Sequence, residues 1–301
     1  MPSQKIAEIK TLYSSWISTM QADPDMSLAA MRDMFEHWGD LSGEPGEVDY
    51  LEVDAGGVPA MWAIPRGCAP DRVVLCTHGG GFVCGSMYSH RKMYAHLAKA
   101  IGCKALIVHY RRAPEFVHPA QINDVVAAYK WLLDQGVQAK HICTSGDSAG
   151  GTLSTTVLLG LRNVGLPLPA AAMPISPWYD LQATSPSIKV NADKDVLVKE
   201  EVLKGMAAKF LGNVSTTDPL ANILQADLTG LPPIYIQVGG DETLLDDSTR
   251  FEAVARAAGV TIKVDIFPGM QHVFQIMVGR ASEADDAVRL MAQWVKPYLG
   301  L

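Results

Sequence analysis

The chain has 301 residues, 48% of them hydrophobic and 19% charged, which is too apolar for a disordered chain and long enough for one large α/β domain or two smaller ones. Its 25 Lys and Arg against 32 Asp and Glu leave a net charge of −7, which argues against holding a nucleic-acid backbone by bulk electrostatics. No apolar run approaches the roughly 18 residues of a membrane span, the start lacks a secretory h-region, and the five cysteines show no CxxC spacing, so a soluble cytoplasmic protein with neither disulfide framework nor zinc site is expected.

In chain order, Ile6, Ile9, Tyr13, Trp16 and Met20 recur at helical spacing, and Leu28, Met31, Phe35 and Trp38 resume it after Asp23-Pro24-Asp25. Two β-like runs follow, Val48 to Val53 and Val58 to Ile64, joined by a turn at Ala55-Gly56-Gly57. Short apolar runs then alternate with helix-length segments. The runs are Val73–Cys76, Ala105–Val108, His141–Cys143, Ala170–Ile175, Ile234–Val238 and Ile262–Ile266. Helices are expected over Arg91–Ile101, Gln121–Asp134, Gly151–Val164, Ser248–Gly259 and Ser282–Tyr298. Continuous apolar strands alternating with helices predict a mostly parallel, doubly wound α/β sheet with its ligand site at the strands' carboxyl ends. About sixty residues separate the runs Ala170–Ile175 and Ile234–Val238, far more than an ordinary connection. Helical spacing within them, over Lys194 to Leu211, predicts an insertion folded over the sheet's carboxyl edge together with the N-terminal helices.

Gly146-Asp147-Ser148-Ala149-Gly150-Gly151 stands between an apolar run and a helical pattern, the strand–turn–helix context of a G-x-S-x-G nucleophile elbow. The turn is so tight that side chains two residues before and after Ser148 would collide, hence Gly146 and Gly150. A phosphate-binding turn would want G-x-G-x-x-G or a following Lys, and neither is present. After the run Val73–Cys76 comes His78-Gly79-Gly80-Gly81-Phe82, whose glycines leave backbone N–H groups free to meet a ligand oxygen; with the N–H of Ala149 they would make an oxyanion hole. His78 itself reads as structural. Only one histidine follows Ser148, namely His272, after the last strand-like run and where the general base is expected. Gly239-Gly240-Asp241-Glu242-Thr243-Leu244-Leu245-Asp246-Asp247 offers four carboxylates for orienting that base. Asp241 comes first after the strand and is the expected acid, with Asp246 and Asp247 capping the next helix.

These residues carry a resemblance. His78–Phe82, Tyr110-Arg111-Arg112-Ala113-Pro114-Glu115, Gly146–Gly151, Leu231-Pro232-Pro233 and Gly269-Met270-Gln271-His272-Val273-Phe274 resemble, in order, the motifs of bacterial hormone-sensitive-lipase-like esterases of the GDSAG branch. The resemblance implies an α/β-hydrolase fold with a helical cap, a triad of Ser148, Asp241 and His272, and oxyanion donors at Gly80, Gly81 and Ala149; such a mechanism needs no cofactor or metal, and no clustered ligands argue for one. The resemblance divides the chain into cap helices over 1–45, a catalytic core over 46–182 and 215–301, and a cap insertion over 183–214. The sequence departs from the usual pattern at Arg112, where Leu is common, at Val273, where Gly is common, and in Asp241-Glu242-Thr243-Leu244-Leu245. That last stretch resembles relatives labelled lactone hydrolases or acetyl hydrolases.

The expected activity is serine carboxylester hydrolysis through an acyl-enzyme on Ser148, with a small ester or lactone as substrate. A small-peptide hydrolase shares the machinery, and a catalytically dead receptor shares the fold. Trp16, Trp38, Met206 and Phe210, with Trp178-Tyr179 after a core strand, would close an apolar pocket over the site, of which Trp178, Tyr179, Met206 and Phe210 are the candidate lining. The alternative is that these aromatics only glue the cap to the core. Oligomeric state is left open, and a homo-oligomer is compatible with the sequence.

Overall fold

In the computed structural model, which describes residues 3–301, every run expected to be extended is a strand. In chain order these are β1 (Val48–Asp54), β2 (Pro59–Pro65), β3 (Val73–Thr77), β4 (Lys104–Val108), β5 (Ile142–Asp147), β6 (Ala171–Ile175), β7 (Ile234–Gly239) and β8 (Ile262–Phe267). They form one sheet in the order β1-β2-β4-β3-β5-β6-β7-β8, antiparallel across β1, β2 and β4 and parallel from β4 onward. The central strands β3, β5, β6 and β7 are buried along their whole length, in keeping with the apolar runs found at each, although β5 continues past its run through Thr144, Ser145, Gly146 and Asp147.

The helices are α1 (Glu8–Ala22), α2 (Leu28–Glu36), α3 (Met87–Ile101), α4 (Ala120–Asp134), α5 (Ala149–Asn163), α6 (Ser187–Val190), α7 (Glu200–Leu211), α8 (Leu245–Ala257) and α9 (Ser282–Leu299). Helices α3 and α9 pack together, α9 against β5, β6 and β7, while α4 lies on α5 and α5 covers β3, β5 and β6. The two helix starts that depart furthest from expectation do so for identifiable reasons. Helix α3 begins four residues early because Ser86 and Ser89 form a reciprocal capping box, with Ser in the place where Glu or Gln would have signalled it. The helical spacing at Lys194–Lys199 is not realised, because the Asp195 carboxylate accepts the N–H groups of Leu197 and Val198 and holds the chain in a turn.

The strand order reverses at β3, whose neighbours are β4 on one side and β5 on the other. A crevice forms at the carboxyl ends of strands at such a point. The glycine-rich loop leaves β3 there, and the Ser148 turn leaves β5 there. Helices α1 and α2 and the 3-10 turn after α2 approach the same edge, carrying an aromatic cluster of Tyr13, Trp16, Phe35 and Trp38. Met1 and Pro2, the first residues of the expected 1–45 segment, lie outside the described residues. No helix among the described residues is long and apolar enough to cross a membrane.

Candidate active site

Ser148 sits between β5 and α5 with φ 56° and ψ −122°, a strained backbone that a non-glycine residue rarely adopts. The elbow closes because Gly146 and Gly150 have no side chain. A Cβ on Gly146 would run into the carbonyl oxygen of Gly150, and one on Gly150 into that of Thr77. The strain lifts the serine hydroxyl off the sheet, where its Oγ lies 2.9 Å from His272 Nε2. His272 Nδ1 in turn lies 2.7 Å from a carboxylate oxygen of Glu242.

The acid beside the histidine is therefore Glu242, and the expectation of Asp241 is corrected. Both follow β7, but the tight turn at Gly240 sends neighbouring side chains opposite ways. Asp241 faces outward, 3.5 Å from Lys10 Nζ on α1. Glu242, fully buried, turns inward, with one carboxylate oxygen facing the imidazole while the other accepts from Ser176 Oγ at 2.6 Å. Burial opposes a charge on His272, yet Glu242, with Asp195 and Asp147 farther off, outweighs it and holds the pKa above the usual 6.5.

Asp246 and Asp247 are not caps of α8, whose N-terminus has no side-chain cap. Asp247 is buried and accepts the N–H groups of Tyr179 and Asp180, both at 2.8 Å, and the Ser185 hydroxyl at 2.5 Å. Desolvation pushes its pKa up to about 6 in spite of these donors. Asp246 accepts from the N–H of Ser187 at 2.8 Å. The two aspartates thus anchor the segment leaving β6.

Gly80 and Gly81 border the cleft beside Ser148, and Ala149 opens α5. Among the described residues the N–H groups of all three have no acceptor, so three donors are available near the serine. The loop is held by Asp147, a residue whose part the sequence left unread. Its carboxylate accepts from Gly79 N–H at 3.1 Å and the Tyr94 hydroxyl at 2.6 Å, and it lies 3.2 Å from His90 Nε2. His78 is structural as expected, buried, bonded to the Gly79 carbonyl and stacked on Tyr110 at 4.2 Å. A hydroxyl bonded to an imidazole bonded to a carboxylate, facing free N–H donors, can attack a carbonyl and hold the resulting oxyanion. Among the described residues no group of three or more His, Cys, Asp or Glu side chains is placed to hold a metal ion.

A family profile for the α/β-hydrolase fold matches residues 74–276. An acetyl-hydrolase of Streptomyces hygroscopicus is 40% identical over 265 residues, 88% of this chain and 87% of that protein. An esterase of Acinetobacter venetianus is 34% identical over 280 residues, 92% of each. The crystal structure of an esterase from the bacterial hormone-sensitive lipase family superposes with a TM-score of 0.95 at 38% identity, over 100% of both chains. The chain belongs to this family of α/β-hydrolases. It is a carboxylic-ester hydrolase.

The cleft of this esterase has a volume of about 50 Å³. Met20, Phe35 and Trp38 line it from the N-terminal segment, and Leu197, Val198, Val202, Leu203 and Met206 from the insertion; Trp178 and Leu244 complete it beside Ser148 and His272. Of the four candidate pocket residues, Trp178 and Met206 are there and Tyr179 and Phe210 are not. Tyr179 points behind the sheet edge, its hydroxyl 2.8 Å from Thr155 Oγ1 and its ring against Phe251. Phe210 is on the buried face of α7, stacked on Phe82 at 3.7 Å, and glues that helix to the glycine-rich loop. Trp16 likewise packs among the N-terminal aromatics, away from the cleft. Periodicity identifies such residues as apolar but does not say which side of a thin helical layer they take.

Proposed function

We propose that this esterase hydrolyses short-chain acyl esters through a covalent acyl-enzyme on Ser148. The observation that carries the reading is the unbroken hydrogen-bonded line from Ser148 through His272 to Glu242 at the floor of a narrow apolar cleft. His272 Nε2 takes the hydroxyl proton as Oγ attacks the ester carbonyl. Glu242 holds the proton on Nδ1, so Nε2 is free to accept, and it stabilises the imidazolium that forms. The N–H groups of Gly80, Gly81 and Ala149 receive the tetrahedral oxyanion. His272 then passes its proton to the departing alcohol, and a water deprotonated by the same nitrogen releases the acid.

The segments 1–45 and 183–214 act in this reading as a cap, since both contribute side chains to the cleft. The five cysteines are all unpaired, four of them buried, which suits a reducing compartment and supports the cytoplasm as its location. An acetyl ester is among the smallest members of the proposed class, and the name of the Streptomyces relative points the same way.

Substrate size follows from the cleft. The cleft is small and almost wholly apolar, walled by Met20, Phe35 and Trp38 on one side and by Leu203 and Met206 on the other, so it fills at a limited acyl length. Each methylene that fits is worth about 0.8 kcal/mol, and beyond that overpacking reverses the gain. Rates on p-nitrophenyl esters from acetate to palmitate are expected to peak at the short end, with negligible turnover of long-chain triglycerides. A maximum at palmitate, or activation at an oil–water interface, would overturn the short-chain reading.

The pH profile tests the base. His272 works only when neutral, and its charged form is favoured by Glu242, so kcat/KM should fall on acidification through a pKa above the usual 6.5. A profile flat from about pH 5 to 8 is incompatible with histidine as base.

A further inference from the structure

The peptide joining His272 to Val273 is gripped at both polar ends. Its carbonyl accepts from the Tyr13 hydroxyl at 3.1 Å, reaching across from α1, and its N–H donates to Ser176 Oγ at 3.2 Å, at the end of β6. The single proton of Ser176 goes to Glu242 at 2.6 Å, onto the carboxylate oxygen that does not face His272. One serine oxygen therefore ties the acid to the residue following the base. Tyr13 is fixed in turn by the Trp38 indole N–H at 3.1 Å. Ser176, Tyr13 and Trp38 are all buried, and neither Ser176 nor Tyr13 lines the cleft.

The backbone supports a constraint at this point. Ser176 has φ 44° and Val273 φ 54°, both left-handed, and for β-branched Val273 this is a rare conformation. Such strain persists only where the surroundings over-determine it. Hydrogen bonds from α1 and β6 onto one peptide do so here, while the Ser176 N–H is itself bonded to the Gln237 carbonyl at 2.7 Å.

We propose that Ser176 and Tyr13 are positioning residues for the reaction. Together they fix the His272–Val273 peptide and so the imidazole, and Ser176 also sets the orientation of the Glu242 carboxylate. The proposal rests on the triad described above. Its consequence is that the first helix of the chain, besides covering the cleft, holds the base in place through Tyr13.

Ser176→Gly, Ser176→Ala and Tyr13→Phe test it by steady-state kinetics on p-nitrophenyl acetate, alongside thermal melts. Loose placement by about 1 Å costs on the order of 100-fold, so each single variant should lose about ten- to a hundredfold in kcat with KM within about twofold of wild type. Ser176→Gly and Ser176→Ala lose the same two hydrogen bonds, but glycine adopts a left-handed φ without strain, so the glycine variant should melt higher than the alanine variant while the two lose kcat alike. Taking a donor from the Glu242 carboxylate makes it more basic, so the acid limb of the Ser176→Gly profile should move to higher pH. Wild-type kcat and an unmoved acid limb in both Ser176 variants would overturn the proposal, as would a kcat loss that only follows Tm. Ser148→Ala run in parallel separates the readings. Activity surviving in that variant overturns the triad, whereas an inactive Ser148→Ala beside fully active Ser176→Gly and Tyr13→Phe overturns the clamp alone.

Discussion

Ser148→Ala is expected to cut ester turnover by about six orders of magnitude, the loss that removal of a nucleophile produces in related triads. The fold should survive. The Ser148 hydroxyl makes its hydrogen bond to His272 and caps nothing in α5, so alanine leaves a small gap in the cleft wall and no buried group unpaired except Nε2, which the cleft exposes to water. The strained φ of 56° is common to serine and alanine, and so no strain is gained or lost. Thermal melts should therefore coincide while kcat collapses. A variant that keeps more than a few per cent of the wild-type rate would mean that the nucleophile lies elsewhere. A burst of p-nitrophenol in the wild-type enzyme, absent from the variant, would identify the acyl-enzyme directly.

Much of this was legible in the sequence because the relevant signals are local. A parallel strand buried on both faces shows itself as a short apolar run, and β3, β5, β6 and β7 are each found within a few residues of such a run, while the edge strand β8 is only partly buried. The Ser148 turn announces itself by two glycines that only backbone crowding requires, and His272 by being the only histidine left after it. What failed was decided by contacts distant in sequence. Asp241 and Glu242 are adjacent carboxylates, and the choice between them is made by the turn after β7, which sends Asp241 toward Lys10 and Glu242 toward His272. Asp247 looked like a helix cap, but its partners Tyr179, Asp180 and Ser185 lie more than sixty residues earlier. Tyr179 and Phe210 carry the same apolar signal as Trp178 and Met206, and packing alone sorts lining from backing. Ser176 gave no signal, since a serine before a proline reads as an ordinary turn.

Glu242→Gln is the second large effect expected, about 10⁴ in kcat, by the loss that a neutralised triad acid causes. Gln has nearly the shape of Glu, so the cause is the proton and not the packing. In the native site one carboxylate oxygen accepts from the Ser176 hydroxyl and the Gly239 N–H, and the other faces His272 Nδ1. With the amide oxygen kept toward those two donors, the NH₂ faces Nδ1, which must then accept; the ring proton moves to Nε2, and His272 can no longer take the proton from Ser148. The flipped amide would set NH₂ against the Gly239 N–H, donor against donor, and is excluded by the same accounting. The substitution also removes the nearest charge that favours imidazolium, so the acid limb of the residual activity should move to lower pH than in wild type. Asp241→Asn is the control. It disturbs only a half-exposed pair with Lys10, worth no more than about 1 kcal/mol, and kcat should stay within about twofold of wild type. A crippled Asp241→Asn beside an active Glu242→Gln would reverse the assignment, and with it the reading of the turn that follows β7.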